Sequence, residues 1–264
     1  MRTMQVPRVV VASLLLGGSL AAWCQHLNPE GDPPASSHLA PNAPIPVQQV
    51  ISKLQERNAQ RAAALDEFSS RRFYSMQYRG LLGNYDAQMV VDATYKAPNI
   101  KEFHVVSESG SKFIIDHVFD RLMESEQEFI DEANRQHTAL TTANYDFTFA
   151  GYETTPEGAQ YILNLLPKTK NQFLYRGKIW VDAKDFAVVR IEGEPAKNPS
   201  MWIKKTQIDH KYVKVNDFWL PAENHTESML RFGGRATLSI LYKDYKITKA
   251  APRHELDNAR ANSK

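Results

Sequence analysis

The sequence predicts an α+β protein that is mainly antiparallel β with two helices: a strongly curved, incomplete β-barrel wrapped around or lidded by those helices. Three observations predict it. Apolar residues alternate with a period of two over most of the chain after residue 74, helical spacing occurs in only two stretches, and most links between alternating stretches are short enough to force antiparallel neighbours. The chain has 264 residues, 42% hydrophobic and 23% charged, which fits one globular domain and excludes collagen, wholesale disorder and a multi-span membrane protein.

Residues 1–24 carry Arg2 and Arg8, an apolar run from Val9 to Leu20 and then small residues, the order of a secretory signal peptide. The run is about a dozen residues, short of the roughly 20 that a spanning helix needs. Ala22-Trp23-Cys24 before Gln25 fits a cleavage site, which predicts export to the periplasm as a soluble chain. The alternative is a lipoprotein anchored at Cys24, whose lipobox is spoiled by Trp23. The chain has one cysteine, so cleavage there leaves none, as suits an oxidising compartment. Cleavage also removes two arginines and no acid, so 32 basic and 30 acidic residues become an even balance, with no pull toward nucleic acid.

Residues 25–46 hold Pro29, Pro33, Pro34, Pro41, Pro44 and Pro46 among polar residues and read as a linker. Residues 249–264 read as a flexible tail, leaving 47–248 as the folded domain. Pro46 suits a helix start, and Val50, Ile51, Leu54, Ala62 and Leu65 make a helical stripe over about 47–68, interrupted by Asn58 and Arg61. Alternation then marks strands at Tyr74–Gly80, Tyr85–Tyr95 and Asn99–Ser107. From Lys112 to about Ala133 the spacing is helical again, through Ile115, Val118, Phe119, Leu122, Phe129 and Ile130, with Glu126 where an apolar residue belongs. Strands resume at Tyr145–Phe149, Tyr161–Leu165, Phe173–Val181, Phe186–Ile191, Met201–Val215, Phe218–Met229 and Ala236–Ile247. That makes nine or ten strands. A two-sheet sandwich is the rival, but it leaves both helices without a face to cover.

The element order, with the segments LLPKTKNQFLYRGKIWVDAKDFAVVRIEGEP (165–195) and VKVNDFWLPAE (213–223), resembles the LolA/LolB-like superfamily of lipoprotein carriers, to which the RseB lipid-sensing domain is related. The resemblance implies an apolar concave face that receives acyl chains from a lipid or an acylated lipoprotein, with helices as a lid, and a role in lipoprotein sorting at the outer membrane. The alternating residues that would line it are Met89, Val91, Phe147, Phe149, Leu163, Leu165, Ile179, Val181, Leu238 and Ile240, each of which alternation equally allows as permanent core. A sixteen-carbon chain offers on the order of 10 kcal/mol at about 0.8 per buried methylene. Glu126, inside a greasy stripe, either pairs with a nearby arginine or meets a ligand's polar head.

Catalytic signatures are missing: there is no G-x-S-x-G, H-E-x-x-H, P-loop or G-x-G-x-x-G. The eight histidines include no pair at i, i+3 or i+4, so neither an enzyme nor a metal or other cofactor is expected. Asp116-His117 and Asp209-His210 read as surface polarity, Arg71-Arg72 as a solvated strand entrance, and Asn224-His225-Thr226 as a glycosylation acceptor pattern. Trp180, Trp202 and Trp219 read as packing. The expected protein is a monomeric carrier. The alternative is an RseB-like envelope-stress module that binds a membrane protein, although 47–248 has no room for the second domain of RseB.

Overall fold

Pro46 stands at the N-cap of the first helix. A computed structural model of the protein describes residues 44–249, apart from 82, 99, 129–136, 199 and 232. It places α1 at Val47–Ala64, and the Pro46 carbonyl accepts from the amides of Gln49 and Val50. The helix ends four residues before the predicted boundary because Leu65 turns extended and begins β1 without a loop. Strand pairing takes those residues: Phe68 stands opposite Ile247 on one side and Tyr95 on the other, and tertiary pairing overrides local helix preference. The predicted signal peptide, most of the linker and the tail lie outside the described residues.

Ten strands follow: β1 (Leu65–Gly80), β2 (Gly83–Lys96), β3 (Ile100–Gly110), β4 (Tyr145–Thr155), β5 (Gly158–Pro167), β6 (Tyr175–Asp182), β7 (Val188–Pro195), β8 (Ile203–Val215), β9 (Phe218–Leu230) and β10 (Arg235–Lys249). All pair antiparallel in one sheet of order β3-β2-β1-β10-β9-β8-β7-β6-β5-β4, so the chain forms two meanders joined where β10 returns to β1. The sheet is open, with β3 and β4 at its edges, and it is not a sandwich. Gly177 and Gly193 stand directly opposite each other on β6 and β7, where a Cβ on either would lie 2.0–2.2 Å from a carbonyl oxygen of the partner strand. Only glycine permits that approach, of the kind found where sheets bend.

Between β3 and β4 runs a helical segment made of α2 (Lys112–Ile114), a π-helical turn (Ile115–Phe119) and α3 (Asp120–Glu128). The predicted second helix extends to Phe129, Ile130 and Ala133, which lie outside the described residues. Strand register puts Met89, Tyr74, Ile240, Asn224, His210, Ile191, Ile179, Leu163 and Phe149 in one row across nine strands, on one face. Both described helical segments contribute buried residues to clusters on that same face. Val50, Ile51 and Leu54 of α1 pack with the β4–β7 half, and Ile114, Ile115, Val118, Phe119 and Leu122 pack with β1, β2 and β10. A smaller cluster of Leu65, Phe218 and Leu220 closes the α1–β1 junction.

Candidate ligand-binding face

Alternation places all ten apolar candidates on the helix-covered face, in two groups. Phe147, Phe149, Leu163, Leu165, Ile179 and Val181 belong to the cluster under α1, whereas Met89, Val91, Leu238 and Ile240 belong to the cluster under α2–α3. Eight of them are at most 2% exposed, and Phe147 and Phe149 at the β4 edge are half-buried. In this conformation apolar side chains of the described helices pack against the face.

The two coverings are held differently. The buried residues of α1 are Val50, Ile51, Leu54 and Asn58. Near its C-terminal end Arg61 donates to the carbonyls of Asp185 and Phe186, both at 3.0 Å, and to Asn58 Oδ1 at 2.7 Å. Beside this anchor Asp185 accepts from Lys214 and from the Trp219 indole, so the β6–β7 and β8–β9 turns are tied together there.

α3 is held by charge. Glu126 accepts two bonds at 2.9 Å from Arg72 on β1 and one at 3.2 Å from Lys101 on β3, and the Arg72 and Glu126 side chains are each 6% exposed. Burial pushes the Glu126 carboxyl up, but Arg72 and Lys101 pull it down further, and it settles below its ordinary value. Burial and the nearby Arg72 lower the Lys101 ammonium against the pull of Glu126. Arg72 also lies against the rings of Phe103 and Tyr242, at 5.3 and 5.2 Å. Of the two roles open to Glu126, the structure shows the arginine pairing.

Three sequence expectations are corrected here. Arg72 is buried rather than solvated, because β1 alternates and only Arg71 faces outward, toward Asp92. His210 is 1% exposed and not surface polarity, whereas Asp209 faces outward and pairs with Arg190. Asn224 is 5% exposed and donates to the Tyr242 hydroxyl at 2.9 Å, so in the folded chain it is not accessible for glycosylation. His210 and Asn224 were missed as interior residues although Thr206, Ile208, His210 and Tyr212 share one parity, which was the available signal. Together with Thr206, Thr226 and Ser228 they form a polar seam between the two apolar clusters.

Among the described residues, no three His, Cys, Asp or Glu stand together in a way that could hold a metal, and no helix is long and apolar enough to cross a membrane. No protein-family model and no curated protein matches the chain. Among solved structures it is similar to a putative outer membrane lipoprotein-sorting protein domain from Vibrio parahaemolyticus (11% identity, 80% of this chain and 97% of that one, TM-score 0.37). It is also similar to a LolA superfamily protein from Nitrosomonas europaea (13%, 78% and 95%, TM-score 0.30) and to MucB in complex with MucA (7%, 76% and 98%, TM-score 0.22). What the site can do rests on this chain's own residues.

Proposed function

We propose that this chain is an exported, periplasmic binding protein without catalytic activity, a carrier that takes lipid or the acyl chains of a lipoprotein between its sheet and its helices. The observation that supports the reading is the thin attachment of α1 over a broad apolar face. Val50, Ile51 and Leu54 are its buried apolar residues. At roughly 1.5–3 kcal/mol per fully buried side chain, these three contribute about 5–9 kcal/mol, to which half-buried Val47 and the Arg61 bonds add a little more. A sixteen-carbon chain laid on the same face gains on the order of 10 kcal/mol before ordering costs. The two are closely matched, so an acyl chain can displace the helix and be displaced by it. A carrier needs that balance, because it must release what it binds.

In this reading Leu163, Leu165, Ile179, Val181, Phe147 and Phe149 meet the chain first, beneath α1. Met89, Val91, Leu238 and Ile240 extend the face under α3, and Glu126 holds α3 in place. Native mass spectrometry of the mature protein, purified from its own envelope, tests the proposal. Bound lipid or acylated peptide is the expected result, and repeated lipid-free spectra overturn it. Co-purification of a membrane-protein ectodomain with no lipid would favour the regulatory alternative instead.

A further inference from the structure

Across the middle of the helix-covered face the register row changes character. On either side it is apolar, but β9 and β8 contribute Asn224 and His210, which stand directly opposite each other. Neighbouring positions have settled partners: Thr206 and Ser228 share a hydrogen bond of 3.0 Å, and Asn224 Nδ2 donates to Tyr242. Two buried atoms in the row do not. Asn224 Oδ1 and His210 Nδ1 have no hydrogen-bond partner among the described residues. Leaving such groups unpaired in a low-dielectric interior is costly, so native structures pair them with protein, water or ligand.

The surroundings define what would fit. Burial holds the His210 imidazole down at about 4, against a weaker upward pull from Asp209, so it is neutral near pH 7 and can present an N–H or a lone pair. Tyr175 sets its ring edge-on to His210 at 5.8 Å, reaching across β7 where Gly193 puts no side chain in the way. Arg72, the cation along this string of contacts, already holds Glu126. Apolar clusters flank the pair on both sides.

Resting on the carrier reading, the geometry points to His210 and Asn224 as a head-group site for an acyl ligand whose polar end is uncharged and both donates and accepts a hydrogen bond, such as the hydroxyls of a monoacylglycerol. The hydroxyl gives its hydrogen to Asn224 Oδ1 and receives one from His210 Nδ1, while the hydrocarbon lies along a flanking cluster. A carboxylate at the same place has no hydrogen for Asn224, and the charge of Arg72, reached through Tyr242, is already shared with Glu126.

Isothermal titration of the purified full chain at pH 7.5 with 1-monopalmitoylglycerol and with palmitate tests the assignment. The wild type should bind the glyceride at least tenfold more tightly than the fatty acid. His210→Phe and Asn224→Leu should each weaken glyceride binding about tenfold while changing palmitate binding by less than twofold. His210→Gln, which keeps a donor and an acceptor and is the gentler change should phenylalanine fail to fold, should retain the preference. Equal binding of both lipids by the wild type overturns the head-group site and leaves the carrier reading standing. Wild-type glyceride affinity in both apolar variants also overturns it, and assigns the two atoms to buried water. If neither lipid binds the wild type, the head-group site fails, and native mass spectrometry decides the carrier reading separately.

Discussion

The two halves of the covered face have similar apolar linings but opposite fastenings. Over β4–β7, α1 rests on Val50, Ile51 and Leu54 and is pinned near one end by Arg61 to two backbone carbonyls. Over β1–β3 and β10, the α2–α3 segment buries five apolar residues and adds a charged lock, Glu126 between Arg72 and Lys101. Apolar packing is non-directional and can be exchanged for any hydrocarbon of similar shape. A buried ion cluster is directional, and no acyl chain can replace it. In the proposed carrier reading, the difference makes α1 the cover that moves and α3 the one that stays.

Breaking the fixed cover should have the largest effect. Glu126→Ala leaves Arg72 and Lys101 without their shared carboxylate in the interior, and losses from breaking such pairs run to about 3–5 kcal/mol. Urea denaturation should show a loss of that size. Hydrogen exchange should place the first opening at β3 and α3, with α1 protected as before. A loss confined to α1 would reverse the comparison.

The seam between the halves should respond to pH. Burial depresses the folded-state His210 from 6.5 to about 4, so between those values the unfolded chain binds a proton that the folded chain refuses. Stability from this residue is therefore complete above about pH 6.5 and is lost as pH falls toward 4, a change of about 3 kcal/mol at 1.36 per unit. His210→Phe should flatten that part of the stability curve. Glu126, held below its ordinary value, contributes stability above the usual carboxylate range that is lost only at more acid pH, so the two titrations separate. A slope unchanged by His210→Phe would mean that the histidine accepts its proton in the folded state.

Arg61→Ala should act on the movable cover alone. It removes two bonds to carbonyls and the bond to Asn58, worth about 2–3 kcal/mol together in this half-buried position. Exchange of α1 amides should accelerate while those of α3 keep wild-type rates. If lifting α1 admits the ligand, a fluorescent fatty acid should also associate faster with the variant, at little cost to the final affinity. Unchanged association with faster α1 exchange would separate the motion of α1 from ligand entry.

Much of this arrangement was legible in the sequence because alternation is a strong signal. Leu163, Leu165, Ile179 and Val181 announce their face directly, and Val50, Ile51 and Leu54 announce the face of α1. Strand order was less legible. Nothing local indicates that β10 returns to β1, since that pairing joins residues as distant as Leu65 and Lys249. The polar interior was misread for the same physical reason in each case. Arg72, His210 and Asn224 are residue types that usually face water, but their position in the alternation overrides residue type. Parity along the strand was the better guide, because successive side chains on a strand cannot share a face.

The smallest expected effect tests that parity directly, with two neighbouring residues of the same type. Arg71 and Arg72 differ by one position on β1, yet Arg71 meets Asp92 half-exposed to solvent and Arg72 meets Glu126 in the interior. Water already stabilises both charges of the outer pair and salt screens them, so Arg71→Ala should leave the urea midpoint unchanged within error. Arg72→Ala removes the partner of a buried carboxylate and should approach the loss seen for Glu126→Ala. Raising the salt concentration should erase any residual Arg71 effect and leave the Arg72 effect intact, because counterions do not reach the inner face. Equal losses from the two arginines would mean that both faces of β1 are shielded from solvent, and the assignment of one face to the helices would have to be given up.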